Sequence, residues 1–416
     1  PVPDIKTLRA AVARVSSGAL EAAPDMLTFS HLRWDFVFQR PQHLMARFAK
    51  ARRVFFFEEP IVHDQPSAPR LEIRICKETG VRVVVPHLGG PLSRFATEAA
   101  QKELLDRFCQ DNAVKRPIAW YYTPALYCYS KHLDAVAVVY DCMDELANFR
   151  FASPQLPLLE RELMRRADVV FTGGQSLYEA KRALHPQVYC FPSSVDRAHF
   201  SAARNRKLPE PPDQKDLARP RLGFYGVIDE RMDFGLIHAV AQARPDWSIV
   251  LLGPLAKVSP DELPRRPNIH YLGAKPYQEL PRYLAGWDVA LMPFAINEAT
   301  RFISPTKTPE YLAGGKPVVS SPITDVVRQF GKLKGVGIAE TPGTFVTRCE
   351  EALALKTDRM WLPEADASLA NQSWDRTFAR MNAIIEEAAN RRDPARRIAP
   401  ATFRTEAREP ALRLES

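Results

Sequence analysis

Short apolar runs alternate with helix-like segments along this chain, and the alternation starts twice. Strands that alternate with helices at this spacing predict a parallel sheet that is covered on both faces. The expected strands are Met26–Ser30, Val54–Phe57, Leu71–Ile75, Val81–Val85, Ile118–Tyr122, Val136–Tyr140, Val169–Thr172 and Val188–Phe191. Helices fit between them at 42–50, 93–110, 125–133, 154–166 and 175–184. This order favours an α/β fold with a doubly wound sheet.

A polar, proline-rich stretch at 201–220 separates the two series and predicts a linker. Strands are then expected at Leu222–Tyr225, Ile249–Leu252, Ile269–Leu272, Val289–Met292 and Val318–Ser320. Helices are expected between them at 233–242, 277–284, 308–313 and 343–354. The predicted organisation is an N-terminal extension (1–25) with a helix over Ile5–Val15, a first Rossmann-like domain (26–200), the linker, a second such domain (221–374), a terminal helix (375–390) and a basic, disordered tail (391–416).

Charge and composition narrow the classes of function. The formal net charge of +8 fits an anionic ligand or an acidic membrane face, but it is too diffuse to favour nucleic acid. No apolar run reaches the roughly 18 residues that span a bilayer. The six cysteines show no CxxC pair or metal-ligand spacing, which favours reduced thiols. We therefore expect a cytoplasmic protein, with contact to the inner membrane face left open.

The segment from Ser304 to Ser320 carries the strongest chemical pattern, a loop and short helix before a buried strand. Thr306 or Thr308 is placed to cap the helix. A helix start attracts phosphate through its unpaired N–H groups, and Lys307 adds a positive charge there. Glu310, one turn further on, suits a pair of vicinal hydroxyls such as those of ribose. The alternative is a capped helix with a solvated Lys307 and Glu310.

This segment resembles the donor-binding element of GT-B glycosyltransferases, especially those similar to family 4 (glycosyl transferases group 1). Further segments resemble the family in the same order: Phe191–Asp196, Leu222–Gly226, Ile249–Pro254, Asn268–Gly273 and Tyr277–Phe294. The resemblance implies two Rossmann-like domains facing a central cleft, with the last helix crossing back to the first domain. It also implies that Lys307 meets the donor diphosphate and Glu310 the donor ribose. The donor-binding residues that it implies are Gly226, Arg231, Gly253, Pro254, Gly273, Ser304, Thr306, Lys307 and Glu310.

The chain departs from the family at two places. Many members carry a second Glu that seven intervening residues separate from the ribose Glu, but Phe302 occupies that position here, and Glu298 further upstream is out of register. Many members also carry Arg and Lys just after the first donor-domain glycine, whereas only Arg231 is available here. These departures affect the sugar contacts more than the nucleotide contacts.

Two loops of the first domain follow predicted strands and should lie where ligands bind in doubly wound sheets. The first loop supplies candidate acceptor-binding residues, which are His31, Arg33, Trp34, Asp35 and Arg40. The alternative for this loop is a set of surface charges with Trp34 packed as a lid. In the second loop, Asp141 is the first candidate for a general base and Asp144 the second. Asp141 could equally cap the following helix.

The sequence therefore predicts a glycosyltransferase of the hexosyltransferase type. It would move a sugar from a nucleotide-sugar donor to a saccharide or lipid-linked acceptor, as in bacterial-type surface polysaccharide or glycoconjugate synthesis. Asp141, Asp144 and Lys307 are the predicted catalytic residues, and no metal or other cofactor is expected. The alternatives are a GT-B-fold sugar-nucleotide epimerase, which needs no acceptor, and a catalytically silent scaffold for polysaccharide assembly.

Overall fold

The computed structural model describes residues 23–205, 207–355 and 358–392. The predicted helix Ile5–Val15 lies outside this range, as does the predicted tail from residue 393 on. The described chain forms two sheets in sequence, the first within 26–190 and the second within 221–338. Both sheets fall inside the ranges predicted for the two domains, whose boundaries stay predictions.

The first sheet has nine strands, and its eight-strand path runs β3-β5-β2-β1-β6-β7-β8-β9. All neighbours along this path are parallel, while β4 pairs with β5 as an antiparallel hairpin. The strands are β1 Met26–Phe29, β2 Val54–Phe57, β3 Ile61–His63, β4 Arg70–Ile75, β5 Arg82–Gly89, β6 Ile118–Tyr121, β7 Ala137–Cys142, β8 Val169–Thr172 and β9 Val188–Cys190.

The second sheet has six parallel strands in the order β12-β11-β10-β13-β14-β15. They are β10 Arg221–Tyr225, β11 Ser248–Leu252, β12 Ile269–Gly273, β13 Val289–Met292, β14 Val318–Ser320 and β15 Val336–Ile338. In each domain the first strand, β1 or β10, lies inside the sheet. The chain adds the next strands on one side of it and the later strands on the other side. Such a switch point opens a crevice at the carboxyl ends of the strands, where ligands bind.

Helices connect the strands and cover the sheets. They are Arg40–Phe48, Arg94–Asp111, Tyr127–Ser130, Leu156–Arg166, Gln175–Lys181, Arg197–Ser201, Pro212–Lys215, Phe234–Ala243, Leu280–Ala285, Lys307–Ala313, Thr324–Phe330, Pro342–Ala354, Leu362–Leu369 and Trp374–Arg392. The last of these packs on the first sheet, because Phe378, Met381 and Ile385 share a buried cluster with Phe48 and Trp120. The chain therefore returns to the first domain after completing the second.

The structure corrects several sequence predictions. The strands β3 and β15 and the helices Thr324–Phe330 and Leu362–Leu369 were not predicted, because short segments give little periodic signal. The predicted linker is also partly structured. Gln214 is buried within it, donates to the Tyr283 carbonyl at 3.0 Å and accepts from the Trp287 indole at 2.8 Å. This segment is thus anchored to the second domain.

The two domains contact each other beside the crevice. The N–H of Ser176 donates to Asp325 Oδ1 at 3.0 Å, and a Cβ on Gly174 would lie 2.6 Å from Cβ of Ser304. The rings of Phe38 and Tyr277 lie 4.7 Å apart on another side. These contacts bring the carboxyl edges of the two sheets face to face.

Candidate active site

The facing edges enclose one cleft with a volume of about 1420 Å³. Its walls include the loops after β1, β7, β10 and β11 and the start of the helix Lys307–Ala313. All predicted site residues except Asp141 and Gly273 line it. Those that do are His31, Arg33, Trp34, Asp35, Arg40, Asp144, Gly226, Arg231, Gly253, Pro254, Ser304, Thr306, Lys307 and Glu310.

Two glycine turns, after β10 and β11, leave space for the Lys307 side chain at the carboxyl edge of the second sheet. Gly226 has φ +139°, and a Cβ on it would lie 2.2 Å from Cε of Lys307. Gly253 has φ +147°, and a Cβ there would lie 1.7 Å from the Gly226 carbonyl oxygen. Both positions need glycine for their backbone conformation and for the space. Gly273 supports this arrangement from behind, since its carbonyl accepts from the Gly253 N–H at 2.9 Å.

The cleft concentrates positive charge beside these turns. Burial lowers the pKa of Lys307, and the nearby positive charge of Arg231 lowers it further. Arg231 donates to Asp229 through Nε at 3.0 Å and Nη2 at 2.6 Å, which fixes its guanidinium. A desolvated lysine next to a fixed arginine is an arrangement that a bound anion stabilises.

Glu310 lies in the first turn of the same helix and faces the cleft. Its side chain accepts from the Tyr225 hydroxyl at 2.9 Å, and burial raises its pKa. Thr306 makes no side-chain cap hydrogen bond at the start of the helix, so the predicted capping role was wrong. Thr308 does not cap it either, because its hydroxyl is buried without a partner among the described residues. The Tyr225 hydroxyl therefore orients the Glu310 carboxylate.

Comparisons with known proteins agree with this geometry. Residues 219–355 match the family model described as glycosyl transferases group 1. A Bacillus subtilis (strain 168) protein named as the teichuronic acid biosynthesis glycosyltransferase TuaH is 27% identical over 285 residues, which are 64% of this chain and 70% of that protein.

Solved structures match nearly the whole described fold. Sucrose-phosphate synthase from Thermosynechococcus elongatus is 14% identical with a TM-score of 0.63, covering 88% of this chain and 99% of its own. Anabaena HepE in complex with UDP and glucose is 13% identical with a TM-score of 0.63, covering 87% and 99%. The chain is a glycosyltransferase with the GT-B fold, and residues 219–355 are similar to the glycosyl transferases group 1.

Asp141 does not have the position that was predicted for it in this glycosyltransferase. Strand β7 runs to Cys142, so Asp141 lies inside the strand and neither starts a loop nor caps a helix. Its carboxylate is fully buried and accepts from Nε and Nη2 of Arg40 at 3.0 and 2.8 Å. Arg40 also donates to the Phe191 carbonyl at 2.6 Å. This pair ties the first helix to β7 and leaves Asp141 no access to substrate.

Asp144 is the carboxylate of that region that faces the glycosyltransferase cleft. Burial raises its pKa, while the positive charges of Arg231, Lys307 and Arg40 act in the opposite direction. Asp144 belongs to the first domain, and Arg231 and Lys307 belong to the second. The site therefore places a carboxylate of one domain opposite the cations of the other.

The predicted acceptor residues divide into two groups. His31 faces the cleft, whereas Trp34 is buried against Phe56 at 5.0 Å between ring centroids and is mainly a core residue. Asp35 is exposed and pairs with Arg74, and Arg33 donates to Glu58 at 3.0 Å. These ion pairs hold the loop after β1 against β2 and β4.

The missing family glutamate has a structural explanation. Phe302, which stands in its place, packs against a core cluster of the first domain. Glu298 is 71% exposed, pairs with Arg301 at 3.4 Å and does not line the cleft. Neither residue supplies a carboxylate to the sugar, so other cleft residues must provide those contacts.

Phe149 and Lys257 are among the cleft residues that sequence reasoning missed. The available signal was their position just after buried strands or in a loop that begins there. Among the described residues, no helix is long and apolar enough to cross a membrane. Likewise, the described range contains no group of three or more His, Cys, Asp or Glu arranged to hold a metal ion.

Proposed function

We propose that this glycosyltransferase moves a sugar from a nucleoside-diphosphate sugar to a hydroxyl group of a saccharide or lipid-linked acceptor. The observation that carries this proposal is the pair of cations Lys307 and Arg231, which lies beside the Gly226 and Gly253 turns and opposite Asp144. A diphosphate between the cations and an acceptor hydroxyl near the carboxylate would fill this arrangement.

The diphosphate is the leaving group of the proposed reaction. When the bond between the anomeric carbon and the phosphate oxygen breaks, its electron pair stays on the diphosphate. Lys307 and Arg231 would stabilise the negative charge that develops there, which is often the largest contribution to catalysis. The carboxylate of Glu310, held by Tyr225, would accept hydrogen bonds from the ribose hydroxyls.

Asp144 is the proposed acceptor of the proton from the attacking hydroxyl. A base whose pKa lies closer to the working pH is more effective, and burial raises the pKa of Asp144 in that direction. The new bond forms between the acceptor oxygen and the anomeric carbon as the diphosphate departs. Asp141 holds Arg40 and takes no part in this proton transfer.

Uridine nucleotides are the first donors to test, because HepE was solved in complex with UDP, although Starch Synthase IV from Arabidopsis thaliana was solved with ADP and acarbose. The resemblance to TuaH, named for teichuronic acid biosynthesis, supports a role in bacterial-type surface polysaccharide synthesis. Metal independence, a cytoplasmic location and contact with the membrane face stay predictions.

The test is a screen of UDP-, ADP-, GDP- and dTDP-sugars for release of the nucleoside diphosphate, with and without saccharide and lipid-linked acceptors. We expect release that depends on an acceptor and is abolished in Lys307→Ala. Sugar isomerisation without an acceptor would indicate an epimerase. Nucleotide binding without any turnover would indicate a scaffold. Adding a chelator to the active reaction tests metal independence.

A further inference from the structure

A second polar cluster lies in the cleft and differs in chemistry from the cluster around Lys307. It consists of His31 and Phe149 from the first domain and Glu230 and Lys257 from the second, and all four residues line the cleft. Lys257 Nζ lies 3.7 Å from Glu230 Oε1 and 5.1 Å from the centre of the Phe149 ring. The cluster therefore joins the two domains at a place where no ligand contact has been assigned.

Backbone contacts hold this cluster in place. The N–H of Arg150 donates to Glu230 Oε1 at 3.2 Å. The loops after β10 and β11 pair with each other, since the Ile228 N–H donates to the Pro254 carbonyl at 3.0 Å and the Ala256 N–H to the Ile228 carbonyl at 3.1 Å. Lys257 itself has φ +60°, a left-handed conformation that costs free energy for a residue other than glycine. The loop thus holds Lys257 towards the cleft at a cost.

Two buried polar atoms of the cluster lack partners within the described part of the chain. Glu230 has a side chain that is only 5% exposed, and its Oε2 makes no hydrogen bond. His31 Nδ1 is likewise buried and unpartnered. An unpaired buried polar atom destabilises the protein, so such atoms in a cleft indicate groups that a ligand satisfies.

Both orphaned atoms can form a hydrogen bond with a hydroxyl group. Burial lowers the pKa of His31 to about 4, so the ring is neutral near pH 7. Its Nδ1 accepts or donates a hydrogen bond according to the tautomer, and a hydroxyl group can meet it in either case. The Glu230 carboxylate repels a phosphate but accepts from a hydroxyl group, and the Lys257 ammonium beside it offers donors to a hydroxyl or ring oxygen. Phe149 adds an apolar surface.

We propose that His31, Glu230 and Lys257, with Phe149, form a hydroxyl-binding subsite for a sugar ring. The inference deepens the proposed function and rests on it for the identity of the ligand, which is the transferred sugar of the donor or the terminal sugar of the acceptor. Both ligands present the same chemistry, a ring of hydroxyl groups. The subsite supplies the contacts that Phe302 cannot make.

The experiment compares the binding of UDP, UDP-sugars and a panel of methyl glycopyranosides by calorimetry and saturation-transfer NMR. Glu230→Gln keeps an oxygen for the Arg150 N–H but loses one of the two carboxylate acceptors, and His31→Phe keeps the size of the ring but loses Nδ1. Glu340→Gln and His238→Ala are matched controls, because both residues are exposed and neither lines the cleft. A thermal unfolding scan of each variant checks that it is folded.

We expect both cleft variants to bind sugar about 10-fold or more weakly, as for a lost hydrogen bond to a buried polar group, with UDP affinity unchanged. Loss confined to the UDP-sugar assigns the donor sugar, and loss confined to the glycosides assigns the acceptor. An equal loss of UDP affinity, no loss for any ligand, or no sugar binding by the wild-type protein would overturn the subsite. Glycoside binding without nucleotide binding would instead remove the transferase proposal and leave the subsite standing.

Discussion

Arg40 and Asp141 form a buried, two-pronged ion pair that joins the first helix to strand β7, with side chains that are 3% and 0% exposed. The pair also reaches the turn after β9, because Arg40 donates to the Phe191 carbonyl. The loops after β1 and β7, which supply His31 and Asp144 to the cleft, are thus held in register by one contact. Its role is structural, and the chemistry falls to the residues around it.

Substitution of Asp141 should therefore cost stability. Asp141→Asn removes the charge that compensates a buried arginine, and breaking such a pair costs about 3–5 kcal/mol. Urea unfolding measures the loss. The control is Asp261→Asn, whose partner Arg265 is also exposed, and which should change the free energy of unfolding by less than about 1 kcal/mol. Near-normal stability combined with lost turnover would return Asp141 to the role of base.

Lys307 should act on the diphosphate and much less on the rest of the nucleotide. Lys307→Ala should weaken binding of UDP strongly and binding of uridine little, because only UDP carries the charge that the ammonium meets. Calorimetry with both ligands measures the difference. Lys275→Ala serves as a control, since Lys275 lines the cleft but pairs with Asp213 at 2.6 Å. Equal losses for UDP and uridine would mean that Lys307 acts through the fold.

Glu310 should give nucleotide binding a dependence on pH. Burial raises its pKa, so the ionised form that accepts ribose hydroxyls is lost at a higher pH than for an ordinary glutamate. Affinity should fall as the pH drops through this raised pKa. Tyr225→Phe removes a hydrogen bond that lowers the pKa of Glu310, and it should move the fall to still higher pH.

Calorimetry with UDP across pH measures this effect, and Glu310→Gln is the control because it retains the titration of the nucleotide, Lys307 and Asp144 but loses that of Glu310. Near neutral pH, Glu310→Ala should lose about 1–3 kcal/mol of binding free energy, the scale of hydrogen bonds to a charged group. A pH profile of the wild-type protein that matches that of Glu310→Gln would contradict the ribose assignment.

Asp144→Asn should lower turnover about 10²–10⁴-fold, the usual contribution of a general base. Its effect on donor binding has the opposite sign to that of Lys307→Ala. Because Asp144 faces Arg231 and Lys307, removing its negative charge should leave UDP affinity unchanged or slightly higher. Steady-state kinetics and calorimetry test both parts, with Asp261→Asn as control, because Asp261 is exposed and does not line the cleft. Normal turnover in Asp144→Asn would favour proton transfer to the donor phosphate.

The local pattern of the sequence determined most strands of the two sheets and several residues that the second domain contributes to the cleft. Strands such as Val54–Phe57 and Val289–Met292 were predicted at their observed bounds, because runs buried on both faces leave an unbroken apolar signal. Lys307 and Glu310 were found because one helix carries both, and the glycines Gly226 and Gly253 follow their strands directly. Each of these features is set by residues that are close together in the sequence.

Only the tertiary structure decided the roles of the remaining residues. Asp141 looked like a loop residue until β7 proved to extend to Cys142, and its partner Arg40 lies 101 positions away. His31, Glu230 and Lys257 meet only because the crossovers of two sheets bring separate loops to one cleft. The energy of a buried charge or an orphaned acceptor depends on its surroundings in space, and a linear pattern does not contain those surroundings.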